Sequence, residues 1–364
     1  MLTGLGQDRP VVKTFNSIQH LRGVAALMVV AFHLLVPARG IVYPAWTSFA
    51  GASGVDIFFV ISGFIIYTSQ TAEDRGAADF ISRRLLRVVP MYWVFTLLLI
   101  ALHLTVKMGA ELSLAPAHVV QSFLLIPHFN PGDPGQIEPL LVPGWTLQYE
   151  LFFYALFAAG LVLAPRRRVL WMAASLACLV AGGLHAHPRG PIASSFTNPR
   201  LLEFLAGVLL GAAARKYPGA FPVWGWIAIP LGLTGLLATD FAGPLWRDAW
   251  GWGPLAIAVV AGALCLDLRG RSLRAPLLRL LGDASYSIYL SHLITLGFVR
   301  QIWRLAVKPS PDPWTFATFC VTAFVVSAAV GVVVYVMVEK PLLARLKGLL
   351  RQRPRPAAGA EAVA

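Results

Sequence analysis

Arg22 and His33 stand eleven residues apart in one apolar stretch, SIQHLRGVAALMVVAFHLLV, residues 17–36. Eleven residues of α-helix rise ~16 Å and turn through about 1100°, within about 20° of three whole turns. The pair therefore shares one helix face at two depths. A histidine can take a proton from a hydroxyl, and an arginine's planar fork suits phosphate or carboxylate. Both side chains are costly in hydrocarbon, so a shared stripe points to a polar cavity behind that face. Taken singly, Arg22 reads equally well as a topology-setting charge and His33 as a buried, hydrogen-bonded histidine.

Further polar groups sit where apolar runs begin or end. In GVDIFFVISGFII, residues 54–66, Asp56 is expected at about the depth of His33, and Ser62 and Gly63 suit close helix packing. FISRRLLRVVP, residues 80–90, puts Arg84 and Arg87 on neighbouring positions of one helix face. They serve as topology charges or as a phosphate clamp. GWTLQYELFFY, residues 144–154, carries Trp145, Glu150 and Tyr154 inward from a membrane interface. Trp145 fits an aromatic belt. Glu150 and Tyr154 share a face, and Glu150 is expected near the depth of His33, where it would pair with the imidazole as orienter. YSIYLSHL, residues 286–293, contributes Tyr286 and His292 to an expected cavity wall.

The elements that must position these groups follow from hydropathy. The chain has 364 residues, 57% of them hydrophobic and only 13% charged, with a mean hydropathy of +0.68. That is far from a soluble domain. Apolar runs near 20 residues recur, predicting an all-α, polytopic membrane helical bundle of about ten transmembrane helices. The expected spans are 17–36, 52–70, 88–106, 145–164, 168–184, 199–214, 222–238, 252–268, 284–303 and 314–338. The domain division is a segment 1–14, a membrane domain 15–342 and a basic, disordered tail 343–364.

The net charge of +13 does not imply nucleic acid, because position decides. Of the 30 basic residues, 22 fall in alternate segments, among them Arg83 to Arg87, Arg166 to Arg168, Arg269 to Arg279 and the tail. That bias places both termini in the cytoplasm and the tail against anionic headgroups. Cys178, Cys265 and Cys320 are scattered in apolar runs, with no spacing for a disulfide or metal. The longest outer segment, roughly 107–144, holds Pro116, Pro127, Pro131, Pro134, Pro139 and Pro143. It is predicted as a loop whose middle, 119–126, lies on the membrane as a turn of helix. Glu339-Lys340-Pro341 reads as a helix stop with an ion pair.

Arg22-x10-His33, the Gly54–Phe64 block, Phe80-x3-Arg84-x2-Arg87-x2-Pro90, Trp145…Glu150…Tyr154 and Tyr286…His292 occur in that order over residues ~15–342. In register, they resemble the acyltransferase-3 family of integral membrane acyltransferases. LIPHFNPG, residues 125–132, and GWTLQYELFFY are similar to its exopolysaccharide O-acetyltransferase branch. The resemblance implies a multi-pass protein of the bacterial inner membrane with no permanently bound cofactor. It would take an acyl group, usually acetyl, from cytoplasmic acyl-CoA as co-substrate. The acceptor would be a hydroxyl of an exported or cell-envelope glycan or a lipid-linked oligosaccharide. The family's motif arginine and histidine fall on Arg22 and His33.

On that basis Arg22, Arg84 and Arg87 would hold CoA phosphates, with the pantetheine arm threading the bundle toward His33. His33 would act as general base, with Glu150 or Asp56 orienting it, or as an acyl carrier. Tyr154 and Tyr286 are the candidates for oxyanion stabilisation. Membrane lipids and polysaccharide-synthesis proteins are the expected partners. A transporter or flippase, or a structural subunit of a synthesis complex, would share the spans and the buried charges. A transporter has no need of CoA, which separates the classes.

Overall fold

The computed structural model describes residues 15–37, 41–43, 50–73, 76–109, 112–242 and 248–351. The segment 1–14 and the last part of the tail, 352–364, lie outside the described residues. Among the described residues, fourteen α-helices follow in chain order. The long ones are α1 (Asn16–Leu35), α2 (Gly54–Glu73), α3 (Ala77–Val106), α5 (Gly144–Leu163) and α6 (Arg168–Ala186). In the second half come α8 (Leu201–Lys216), α9 (Ala228–Ala242), α10 (Trp252–Leu268), α12 (Ser285–Ala306) and α13 (Pro313–Val334). The short helices are α4 (Pro116–Phe123), α7 (Pro191–Phe196), α11 (Pro276–Asp283) and α14 (Lys340–Arg351). Each predicted span corresponds to one long helix. Six helical stretches are long and apolar enough to cross a membrane, and the helical stretches 225–239 and 252–268 are shorter apolar ones. The architecture is an all-α polytopic bundle; the only β pairing among the described residues is a bridge between Phe129 and Ile137.

α2 is the centre of the bundle, packed against α1, α5, α8 and α10. Its approach to α8 depends on glycine. A Cβ on Gly63 would lie 2.0 Å from the Phe204 carbonyl oxygen, and one on Gly207 2.0 Å from that of Val60. Small residues thus let two backbones touch where lipid offers no hydrophobic drive to bring them together. Phe204 stacks between Phe59 and Phe153 beside this contact, at centroid distances of 4.5 and 4.7 Å, locking α2, α5 and α8. α3, α6 and α13 are peripheral, and apolar side chains such as Leu97, Leu104 and Val325 are exposed on them, as a lipid-facing surface requires.

Three features depart from the sequence reading. α3 begins at Ala77 and passes through Pro90, so Arg84 and Arg87 sit inside a 30-residue helix rather than before a span starting at 88. Proline removes one backbone donor there, and Tyr286 ties the same segment to α12 by donating to the Val88 carbonyl at 2.6 Å. The chain also does not stop at Glu339-Lys340-Pro341. A π-turn, Tyr335–Glu339, leads directly into α14, where Pro341 occupies the first turn and needs no backbone donor. Glu339 accepts a hydrogen bond from Ser287 Oγ at 2.5 Å. Finally, the loop 112–143 is ordered against the bundle. Tyr92 and Trp93 donate to the carbonyls of Ser122 and Phe123, and Leu140 N donates to Ser122 Oγ. The predicted turn of helix is α4.

Candidate active site

Three adjoining cavities run along α1 from its N-terminal end to His33. The first, about 1250 Å³, is a mouth between α1, α2, α3 and α14, lined by Arg22, Arg83, Arg84, Arg87 and Lys347. The second, about 800 Å³, shares Arg22, Arg84 and Arg87 with the mouth and continues past Glu150, Tyr154 and Tyr286. The third, about 580 Å³, contains His33, Asp56, Glu138, Trp145 and Arg200. Val55 and Tyr289 line both the second and the third. The helical face that carries Arg22 and His33 thus borders all three cavities.

Two arginines of the mouth, Arg22 and Arg84, are positioned by neighbours. Arg22 donates to Gln19 Oε1 at 3.1 Å and to Ser285 Oγ at 3.0 Å, and Gln19 in turn donates to Asp283 at 2.6 Å. Gly282 makes this possible, since a Cβ there would lie 2.0 Å from the Gln19 carbonyl oxygen. Arg84 donates to Ser69 Oγ at 2.6 Å and lies over the rings of Phe80 and Tyr154 at 5.6 and 5.9 Å. Such stacking leaves a guanidinium edge for an anion.

His33 closes the route, and its partner is a histidine. His292 Nδ1 lies 2.6 Å from the Tyr289 carbonyl oxygen, which can only accept, so Nδ1 carries the proton and Nε2 a lone pair. His33 Nδ1 stands 3.2 Å from that Nε2 and 3.0 Å from the Val29 carbonyl oxygen. Two acceptors around Nδ1 assign the proton to it and leave His33 Nε2 as the free base. Arg300 secures the helix end beneath, donating to the carbonyls of His33 at 2.6 Å and Val36 at 3.0 Å. A cation on the last carbonyls of a helix stabilises it there.

One of the two carboxylates falls elsewhere than the sequence suggested. Glu150 lines the second cavity, not the chamber of His33; its Oε1 accepts from Ser62 Oγ at 3.0 Å and from the Tyr154 hydroxyl. Helix starts fix depth along the membrane, but α2 packs against both α1 and α5 and sets their lateral placement. Asp56 does reach the His33 chamber, where its Oδ1 lies 3.5 Å from Arg200 Nε. The orienting contact on the imidazole therefore comes from His292. Trp145 lines the chamber, with Arg200 over its ring at 5.9 Å, rather than serving only as a belt residue. Tyr154 and Tyr286 line the second cavity together.

Sequence reasoning missed Arg200, Glu203, Arg300 and Glu138. A charged pair at the start of an apolar run, Arg200 and Glu203, was the available signal for the first two. Arg300 had none beyond being basic in an apolar helix. Glu138 lies in the proline-rich loop, where burial, with Asp133 nearby, raises its carboxyl above the ordinary value.

A family model described as "Acyltransferase domain" matches residues 15–335, which includes the walls of all three cavities except Glu339 and the α14 residues of the mouth. The chain belongs to the acyltransferase-3 family. Among similar proteins, the exopolysaccharide production protein ExoZ of Rhizobium meliloti (strain 1021) is 35% identical over 302 residues, 81% of this chain and 90% of its own. The acyltransferase MdmB of Streptomyces mycarofaciens is 26% identical over 390 residues, 95% of each chain. Nodulation protein 10 of Rhizobium leguminosarum bv. viciae is 30% identical over 288 residues, 71% of this chain and 77% of its own. No solved structure matches. This acyltransferase-3 chain is thus a multi-pass membrane acyltransferase, and the arginine-to-histidine route is its candidate active site.

Proposed function

We propose that the protein transfers an acyl group, acetyl in the first instance, from acyl-CoA to a hydroxyl of an exported or cell-envelope polysaccharide, in the inner membrane of a bacterium. The observation that carries this reading is the succession of three adjoining cavities between the arginine cluster and the free Nε2 of His33. CoA is a long, flexible thioester with phosphates at one end and the reacting sulfur at the other. Arg22, Arg84 and Arg87 suit the phosphates, while the narrower second cavity suits the pantetheine arm. The similarity to an exopolysaccharide production protein supports a glycan acceptor.

In the reaction, His33 Nε2 takes the proton of the acceptor hydroxyl as its oxygen attacks the thioester carbonyl. The tetrahedral adduct collapses to the ester as the carbon–sulfur bond breaks. The imidazolium then returns the proton to the CoA thiolate. His292 holds the Nδ1 proton of His33 in place, so that Nε2 is bare before the attack, and the cation that then forms at His33 is shared with it. Tyr289, at the wall between the second and third cavities, is fixed by donating to the Pro143 carbonyl at 3.1 Å.

The test is His33→Ala in purified protein with radiolabelled acetyl-CoA, scoring CoA binding, CoA release and label on a glycan. Binding retained with both turnover readouts lost is expected. Glycan labelling at the wild-type rate would overturn the role of His33, and no CoA-dependent labelling by the wild type would overturn the reaction. A burst of CoA release ahead of glycan labelling would show an acyl-histidine instead of direct attack.

A further inference from the structure

The His33 chamber holds more acidic groups than the transfer reaction needs. Asp56 is 1% exposed and lines the chamber, yet neither of its carboxylate oxygens has a hydrogen-bond donor among the described residues. At 3.5 Å its contact with Arg200 is an ion pair too long for a hydrogen bond. Directly behind stands Glu203, also buried, its carboxyl against that of Asp56. Across the chamber the loop contributes Glu138, whose carboxylate makes no hydrogen bond or ion pair with the described residues. The Asp56 and Glu138 carboxylates that line the chamber can accept from incoming O–H groups.

Two tryptophans supply flat walls. Trp252 is rigid, because its Nε1 donates to Thr239 Oγ1 at 2.8 Å. Trp145 is braced edge-on by Tyr149 and Phe59, with Arg200 over its ring. Rigid indole faces beside carboxylate acceptors offer a polyhydroxylated ring an apolar wall for its C–H face and acceptors for its equatorial hydroxyls.

We infer that the His33 chamber is the subsite for the sugar residue that receives the acyl group, that it selects an uncharged sugar, and that Glu138 is its principal selectivity residue. This inference rests on the glycan-acyltransfer reading and narrows it. Asp56 and Glu138 repel the carboxylate of a uronic or pyruvylated sugar, and the Arg200 guanidinium weighs against an ammonium. A site whose buried acceptors need hydroxyl donors discriminates strongly against a sugar that cannot supply them. Of the acidic groups, Glu138 alone belongs to the loop rather than to the packed helices. It can therefore set selectivity without carrying the fold.

The experiment uses the full chain in lipid nanodiscs with radiolabelled acetyl-CoA. The acceptors are p-nitrophenyl glucoside, galactoside and mannoside against p-nitrophenyl glucuronide. The wild type is expected to favour a neutral glycoside over the glucuronide by at least about tenfold in kcat/KM. Glu138→Gln should raise the KM for the neutral glycoside and narrow the ratio several-fold, and Glu138→Lys should bring the glucuronide level with it or ahead. Elution as a monodisperse peak and unchanged affinity for acetyl-CoA confirm that these loop variants are folded. A wild type that uses the glucuronide equally well overturns the inference, as do variants with unaltered acceptor KM and ratio, while leaving acyl transfer to glycans standing. If donor is bound but no glycoside is acetylated, the glycan reading itself falls.

Discussion

His33 Nδ1 and His292 Nε2 lie 3.2 Å apart, joining α1 to α12 across 259 residues of sequence. The contact decides which nitrogen of His33 is free, since the proton held between the rings cannot also sit on Nε2. His292→Ala should lower kcat by about 100-fold with the donor KM little changed, the size of a lost general-base contribution. His292→Asn, which retains an acceptor, should recover part of it. Equal losses in both variants, with no change in the pH profile, would reduce His292 to a packing role.

Arg84 touches no reacting atom, so its contribution should be uniform binding. Arg84→Gln is expected to raise the KM for acetyl-CoA about tenfold and leave kcat within about twofold. The same change should have a smaller effect on a pantetheine thioester lacking the nucleotide phosphates. A comparison of the two donors reads this directly.

Arg300 acts through the end of α1. Arg300→Met removes the donor to the His33 and Val36 carbonyls. The helix terminus should lose about 1 kcal/mol, and the loosened imidazole should cost about tenfold in kcat. Arg300→Lys should restore stability better than rate, because the ammonium cannot reproduce the spread of the guanidinium fork.

Gly207→Ala tests the α2–α8 crossing. The added methyl would meet the Val60 carbonyl oxygen at 2.0 Å, and neither backbone can yield without moving a helix. A loss of at least about 2 kcal/mol is expected, read as a lower midpoint of thermal unfolding in detergent. Gly182→Ala, which meets nothing within 4 Å, is the matched control.

Acid should loosen the ordered loop. His118 Nδ1 lies 2.7 Å from His128 Nε2, and His128 Nδ1 lies 2.7 Å from the Ile126 carbonyl oxygen. Two protonated rings cannot make that contact, since both facing nitrogens would then carry a hydrogen. Burial, and then the neighbouring His128, lower His118 from the ordinary 6.5. Between the lowered value and 6.5 the unfolded chain binds more protons than the folded one. This contribution to stability is therefore complete above pH ~6.5 and is lost as pH falls through the lowered value. The melting midpoint of the wild type should drop from pH 7.5 to pH 5.5 by more than that of His118→Gln.

Much of this protein is written locally in its chain. Hydropathy alone places the helices, because a backbone in hydrocarbon must satisfy its own hydrogen bonds over about 20 residues. Helical periodicity alone puts Arg22 and His33 on one face, and Arg84 beside Arg87, since a helix's geometry is fixed whatever surrounds it. What the sequence could not decide is lateral: which face meets which. Glu150 and Asp56 were both set near His33 by depth, yet Glu150 turned to Ser62 and Tyr154, Asp56 to Arg200, and His292 took the imidazole. These pairings depend on the approach of α2 to its neighbours at Gly63 and Gly207, and on the loop that carries Glu138 to the chamber. Apart from Glu150 with Tyr154, such contacts join residues tens to hundreds of positions apart, and only the packing of the whole bundle selects among them.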